Sequence, residues 1–334
     1  MRYCFKRRER ISEGLDRIAR DQLDGALKDL RGRKPEEGVY QARKRLKKLR
    51  AVLRLARPGL DPAVFDRENT TLRDVARQLS VVRDADVLVE VIEGLRPHNG
   101  RDAAFRRVVS SARIHRRSVR REFFNGGAAL NAIRDSMSAS KSRLADWAGD
   151  DVTSKDVLKG LRRSYSRARQ SFESARRSRD DTRWHEWRKR TKDFWYHLRL
   201  FERVWPPVLG ATISRCRELA DRLGEDHDLV VIRHRLTELA PEGKAGREAN
   251  RLRSLIAHRH DTLRAEAREA GARLFGEKPG AFMPTIRQIV RDAKVNDYRL
   301  SSLILGVAKS PAFRSALAES TNADKPITGK DGKK

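Results

Sequence analysis

Two stretches of the chain set basic side chains on one helical face. Tyr40, Arg43, Lys47, Arg50 and Arg54 follow one another at alternating intervals of three and four. His185, Arg188, Lys192 and Arg199 share a face in the same way, with Tyr196 beside them and Lys44 and Lys189 adding charge nearby. A guanidinium is a planar fork that grips phosphate oxygens two at a time, an ammonium is a point charge, and a phenol or neutral imidazole donates one hydrogen bond. That set of groups is suited to capturing a phosphate-rich anion. Two carboxylate pairs accompany them, Asp84 and Asp86 in "RDADVL" and Asp226 and Asp228 in "EDHDLV". Spaced i and i+2 they could hold a hard cation. The simpler expectation is that they cap the start of a new helix, before "VLVEVIEGL" and "LVVIRHRL", and orient a basic side chain from the preceding one. Arg83 and His227 occupy equivalent places and are expected to face the anion.

The elements that position these residues read as helices throughout. Apolar residues recur at three- and four-residue spacing, as in Val39, Ala42, Leu46, Leu49 and Leu53, and alternating β-branched runs are nearly absent. Breakers such as "RPGLDP", "RPHNG", "NGG", "WPP" and "APEG" separate the stripes, which predicts an all-α chain of about ten to twelve helices. Solubilising charge sits opposite an apolar seam. Here the basic stripes run beside the seam, so they are expected to meet across it and line a groove or channel.

The composition agrees. The 334 residues carry a formal charge of +29, and Arg outnumbers Lys 56 to 19. Self-repulsion on that scale weakens a compact state unless an anion offsets it. Cys4 and Cys216 make neither a disulfide framework nor a metal-ligand spacing. The N-terminus has charge without an apolar core, so no signal peptide is expected, and no apolar run is long enough to span a bilayer. A cytoplasmic protein follows, with residues 317–334 a polar, disordered basic tail.

The chain also repeats itself. "VYQARKRLKKLRAVLRL" (39–55) lies over "WHEWRKRTKDFWYHLRL" (184–200) at an offset of 145. "GLDR" lies over "GLRR" at 146, which pairs Arg17 with Arg163 and adds both to the candidate anion contacts. "RDVARQLSVVRDADV" lies over "RELADRLGEDHDLVV" at 144, and "IHRR" over "AHRH" at 143. Four landmarks in one order, with the offset drifting by one each time, mark a duplicated unit. Two helical halves follow, 1–150 and 151–300, related by a pseudo-twofold.

No Walker loop, dinucleotide fingerprint, zinc-protease motif, nucleophile elbow or E-x-E-x-K signature is present. Cleaving phosphate esters calls for carboxylates that hold a metal as well as cations that hold phosphate. The sequence therefore points to holding phosphate without catalysis, cofactor or metal. Two rivals stay open: a nucleic-acid-binding helical protein, and a metal-dependent polyphosphate-processing enzyme that uses the Asp pairs.

"VYQARKRLKKLRAVLRL", "LRRSYSRARQSF", "HEWRKRTKDFWYHLRLF", "QLSVVRDADVL" and "RLGEDHDLVVI" together resemble the CHAD family, the conserved-histidine α-helical domain, over about residues 9–295. The resemblance implies two helical bundles around a basic central channel and binding of inorganic polyphosphate, including at polyphosphate granules. It carries the family's H-x-x-R onto His185 and Arg188, followed by Lys192 and Tyr196. In the first copy Tyr40 stands where the family has histidine, so the pH response is expected to rest on His185 rather than on a histidine pair.

Overall fold

Helix signals written locally in the sequence are realised at several ends. Pro35 opens one helix with Glu36 and Glu37 in its first turn, where acidic groups meet the positive end of the helix dipole. Thr153 and Asp156 form a reciprocal capping box, and Asp180 accepts from the Thr182 backbone N–H at 2.8 Å. Gly126 and Gly127, at φ of 64° and 71°, take the left-handed conformation that breaks the chain within "NGG".

The computed structural model describes residues 3–6, 9–94, 103–144, 152–203, 206–239 and 247–276. Among these, nine α-helices form the fold, and there is no strand. They are α1 (Ile11–Leu30), α2 (Pro35–Ala56), α3 (Pro62–Gly94), α4 (Ala103–Phe124) and α5 (Ala128–Ser142). The second half of the chain supplies α6 (Ser154–Arg176), α7 (Asp181–Leu200), α8 (Pro206–Leu239) and α9 (Arg247–Phe275). The "RPHNG" and "APEG" breakers, residues 277–295 of the family resemblance and the expected tail at 317–334 lie outside the described residues.

Neighbours repeat in order. Helix α1 packs on α2, α2 on α3 and α3 on α4, while α6 packs on α7, α7 on α8 and α8 on α9. Between the halves α2 meets α7, α3 meets α8 and α4 meets α9, the helices that the sequence repeat pairs. One core runs through both halves, from Leu15, Leu46 and Leu79 to Trp187, Phe194 and Leu223. A smaller cluster joins the distal ends of α3 and α8 to α4 and α9 through Leu88, Ile92, Val108, Leu229, Ile232 and Ile256.

The four aspartates begin no helix, which corrects the expected capping role. Asp84 and Asp86 lie inside the 33-residue α3, and Asp226 and Asp228 inside the 34-residue α8. The apolar stripe continues past them, through Leu79, Val82, Ala85, Leu88 and Val89 in α3, so no break is forced there. The second part of the expectation, pairing with a basic side chain of the preceding helix, is met by Asp84, while Asp86 and Asp226 engage cations of the helices that follow. Asp84 lies 3.6 Å from Arg43, Asp86 pairs with Arg120 at 2.6 Å, and Asp226 accepts from Arg264 at 3.0 Å.

Candidate anion-binding cleft

Most of the aromatic and basic residues of α7 separate by face, and Tyr196 joins the basic side. Trp184, Trp187 and Phe194 are buried against Phe172, Tyr165 and Phe275. His197 is buried beside them. Its Nε2–H donates to the Ala51 carbonyl at 2.9 Å, and burial pushes its pKa down to about 4, so it packs as a neutral ring. The remaining face carries Arg188, Lys189, Arg190 and Lys192 to the wall of a cleft between α2, the start of α3, α6 and α7, with a volume of about 480 Å³.

Ten cations line this cleft against two carboxylates, Asp66 and Asp193. Of the residues singled out in the sequence, Lys47, Arg50, Arg54, Arg163, Arg188, Lys189, Lys192 and Tyr196 are brought together in it. Arg57, Arg167 and Arg190 also line it and were not anticipated. Arg190 sits between Lys189 and Lys192 in the basic run, and Arg167 lies one helical turn beyond Arg163, so both were within reach of the same spacing argument. Gly160 makes the approach of α6 possible. A Cβ there would stand 2.1 Å from the Leu55 carbonyl oxygen, so only glycine lets α6 lie against α2 and present Arg163 and Arg167 to the cleft.

Crowding has electrostatic consequences. Lys47 still reaches solvent through the cleft, but partial desolvation and repulsion from Arg43, Lys192 and Arg188 push it down to about 7. Arg50 is lowered to about 10 by burial and by Arg54, and Lys192 is lowered by burial and by Arg188. Arg54 has a direct carboxylate partner, Asp193 at 2.6 Å, which also receives Arg190 at 3.3 Å. The Nε groups of Arg50, Arg54 and Arg188 are buried without a hydrogen-bond acceptor.

The other candidates surround this cleft or lie away from it. Arg43 donates to the Leu79 carbonyl, faces Asp84 and repels Arg188 and Lys47, which joins its surroundings to the cleft through Arg188. Tyr40 carries Lys44 at 5.0 Å and Arg83 at 5.1 Å over its ring. Arg83 also pairs with Glu90 at 2.8 Å. His185 and His227 stand Nδ1 to Nδ1 at 3.2 Å with ring centroids 4.4 Å apart. Tyr40 with Arg83 and His185 with His227 are thus the same two repeat positions in contact in both halves, with different chemistry. Burial and Arg188 lower both histidines, His227 to about 3, so the pair is neutral at pH 7. This moves the expected pH response away from His185 and onto Lys47, the group that sits near neutrality.

Arg17 and Arg199 are not among the lining residues. Arg17 is held by Glu9 at 2.7 Å and by the Cys4 carbonyl at 3.0 Å. Arg199 lies over the rings of Tyr3 and Trp195 at 5.6 and 5.0 Å. The carboxylate pairs are engaged with cations: Asp228, raised by burial, lies in the field of Arg188 and Lys192, and Asp226 shares Arg264 with Asp181. Among the described residues no group of three or more His, Cys, Asp or Glu could hold a metal ion. Among them, too, no helix is long and apolar enough to cross a membrane.

The model of the CHAD domain family matches residues 16–237. Among solved structures, the fold is similar to the crystal structure of the CHAD domain from the plant Ricinus communis, with a TM-score of 0.58 and 20% identity. That likeness covers 84% of this chain and 97% of the plant domain. A comparison with curated proteins finds no match. The repeated basic helices, the all-α fold built around them and a family match over well over half of the sequence lead to one conclusion: the chain belongs to the CHAD domain family.

Proposed function

We propose that the protein binds inorganic polyphosphate, without catalysis, in the cleft between α2, α3, α6 and α7. The observation that carries this reading is the lining itself, ten cations against two carboxylates. A phosphate chain supplies charge and acceptor oxygens in a thin, base-free thread. Each charge-assisted hydrogen bond contributes roughly 1.5–3 kcal/mol, and release of counterions adds to affinity. Nucleobases need flat faces to stack on, and Trp184, Trp187 and Phe194 of α7 are turned into the core. The resemblance to polyphosphate-binding relatives points the same way, and a chain that holds polyphosphate without cutting it suits recruitment to polyphosphate granules.

The test is a calorimetric titration at physiological salt with long-chain polyphosphate and with single-stranded RNA of matched charge. Wild type is compared with Arg188→Ala/Lys192→Ala. The expected result is tight polyphosphate binding, weakened at least about tenfold in the double variant, with RNA clearly poorer. Equal and steeply salt-dependent binding of both polymers would replace this reading with general polyanion affinity. Phosphate release in the presence of Mg²⁺ or Mn²⁺ would replace it with an enzyme.

A further inference from the structure

The sequence repeat makes each residue around the cleft comparable with a counterpart in the other copy. Arg163 corresponds to Arg17, Asp193 to Lys48, Arg54 to Arg199, Leu55 to Leu200 and Gly160 to Gly14. Around the cleft the first member of each pair borders open space or packs helix on helix. The counterparts are instead engaged by the residues that precede α1. The Tyr3 hydroxyl donates to the Lys48 carbonyl at 3.1 Å, and the Tyr3 ring lies beneath Lys48 Nζ at 5.5 Å and the Arg199 guanidinium at 5.6 Å. The Phe5 N–H donates to the Leu200 carbonyl at 2.8 Å, and the Phe5 ring sits against Gly14, where a Cβ would be 2.6 Å from it. Arg17 is turned to the Cys4 carbonyl and to Glu9.

Tyr3, Cys4 and Phe5 are 4%, 2% and 0% exposed, so the segment is seated in the core and not draped over it. Burial raises the Tyr3 hydroxyl well above its ordinary pKa, which keeps it a neutral donor to Lys48. Charge follows the same division. Asp21 stands at the repeat position of Arg167, and Glu202 at that of Arg57.

We infer that Tyr3–Phe5 is a built-in stopper that closes the second, repeat-related mouth of the anion site. A phosphate chain held at Arg188 and Lys192 then leaves the protein along the α2–α6–α7 cleft and not past Arg199. The inference rests on the polyphosphate reading and refines it, from a channel open through both halves to a site with one cationic mouth and one apolar plug.

Cys4 reports directly on the stopper, since its thiol is buried within it. Alkylation of Cys4 by iodoacetamide is followed by peptide mass spectrometry in the native full chain, with and without saturating long-chain polyphosphate. Calorimetry on the same samples establishes binding. The expected result is slow alkylation in both states. Alkylation accelerated by an order of magnitude on adding polyphosphate overturns the proposal, because the chain then displaces the segment. Fast alkylation of the ligand-free protein overturns it as well. In Tyr3→Ala/Phe5→Ala, Cys4 is expected to react quickly and polyphosphate binding to depend more steeply on salt, as Lys48 and Arg199 join the site. An unchanged salt dependence with Cys4 exposed counts against a closed mouth. Failure of the wild type to bind polyphosphate is a separate outcome, seen in the calorimetry alone, and removes the underlying reading together with this one.

Discussion

At the scale of single residues, the cleft is a place where protons and phosphate compete over the same charges. Lys47, held at about 7, is roughly half protonated at neutral pH, and a bound phosphate chain favours its charged form. Binding at pH 7 is therefore expected to take up about half a proton from this residue. Calorimetry in two buffers of different ionisation enthalpy measures that uptake, and Lys47→Met should abolish it. Affinity should fall by about tenfold between pH 6 and 9 as this bond loses its charge assistance. In the free protein the sign is opposite. The folded value lies below the unfolded one of 10.5, so the unfolded chain holds more protons between about 7 and 10.5, and stability rises with pH across that window. The penalty is fully present below about 7, where Lys47→Met is expected to raise Tm by about 2 °C, a small shift because the side chain reaches solvent. Asp228 gives a contrasting test. It adds negative charge beside Arg188 and Lys192, so Asp228→Asn should tighten polyphosphate binding several-fold in the same titration, where a metal-dependent enzyme would lose its activity.

At the scale of elements, the cleft depends on a point of close approach between α6 and α2. Gly160 against the Leu55 carbonyl is that point. Gly160→Ala drives a methyl group into backbone that cannot rotate away, and overpacking of this kind costs about 1–3 kcal/mol. Thermal melting should show the loss. Polyphosphate affinity should fall with it, because α6 carries Arg163 and Arg167 away from α2. The long helices α3 and α8 play a different part. Their interior aspartates meet Arg43, Arg120 and Arg264 and fix the rotamers of cations contributed by neighbouring helices. A carboxylate placed mid-helix in this way anchors a basic side chain while leaving the helix unbroken.

At the scale of the whole molecule, a formal charge of +29 opposes folding until an anion is bound. Polyphosphate at 100 times its Kd should stabilise the native state by about 2.7 kcal/mol. For a chain of this size that is a Tm increase of about 4 °C, measurable by differential scanning calorimetry and absent with an uncharged polymer. Salt should act on the same equilibrium. A flexible polyanion contributes a slope of about −0.7 in log K against log salt for each charge neutralised, so Arg188→Ala/Lys192→Ala should flatten the slope by about 1.4.

The all-α class, the internal repeat and most of the residues that line the cleft were legible in the chain alone. Helical spacing is a local property, so Arg50, Arg54, Arg188 and Lys192 could be placed on shared faces from the chain alone, and the resemblance to the CHAD family rested on those same stretches. Tertiary structure decided what lies opposite each face. Arg17 and Arg199 carry the same spacing and charge as the lining residues, yet Glu9, Cys4 and Tyr3 engage them, since the chain before α1 folds back across them. Asp84 and Asp226 had the composition of helix caps and became partners of Arg43 and Arg264, because an apolar stripe that continues past them lets the helix continue. His227 acquired its meaning from His185, 42 residues away in the chain and 3.2 Å away in space. Periodicity fixes which residues share a face, and packing between segments distant in sequence fixes which of those faces remain open to a ligand.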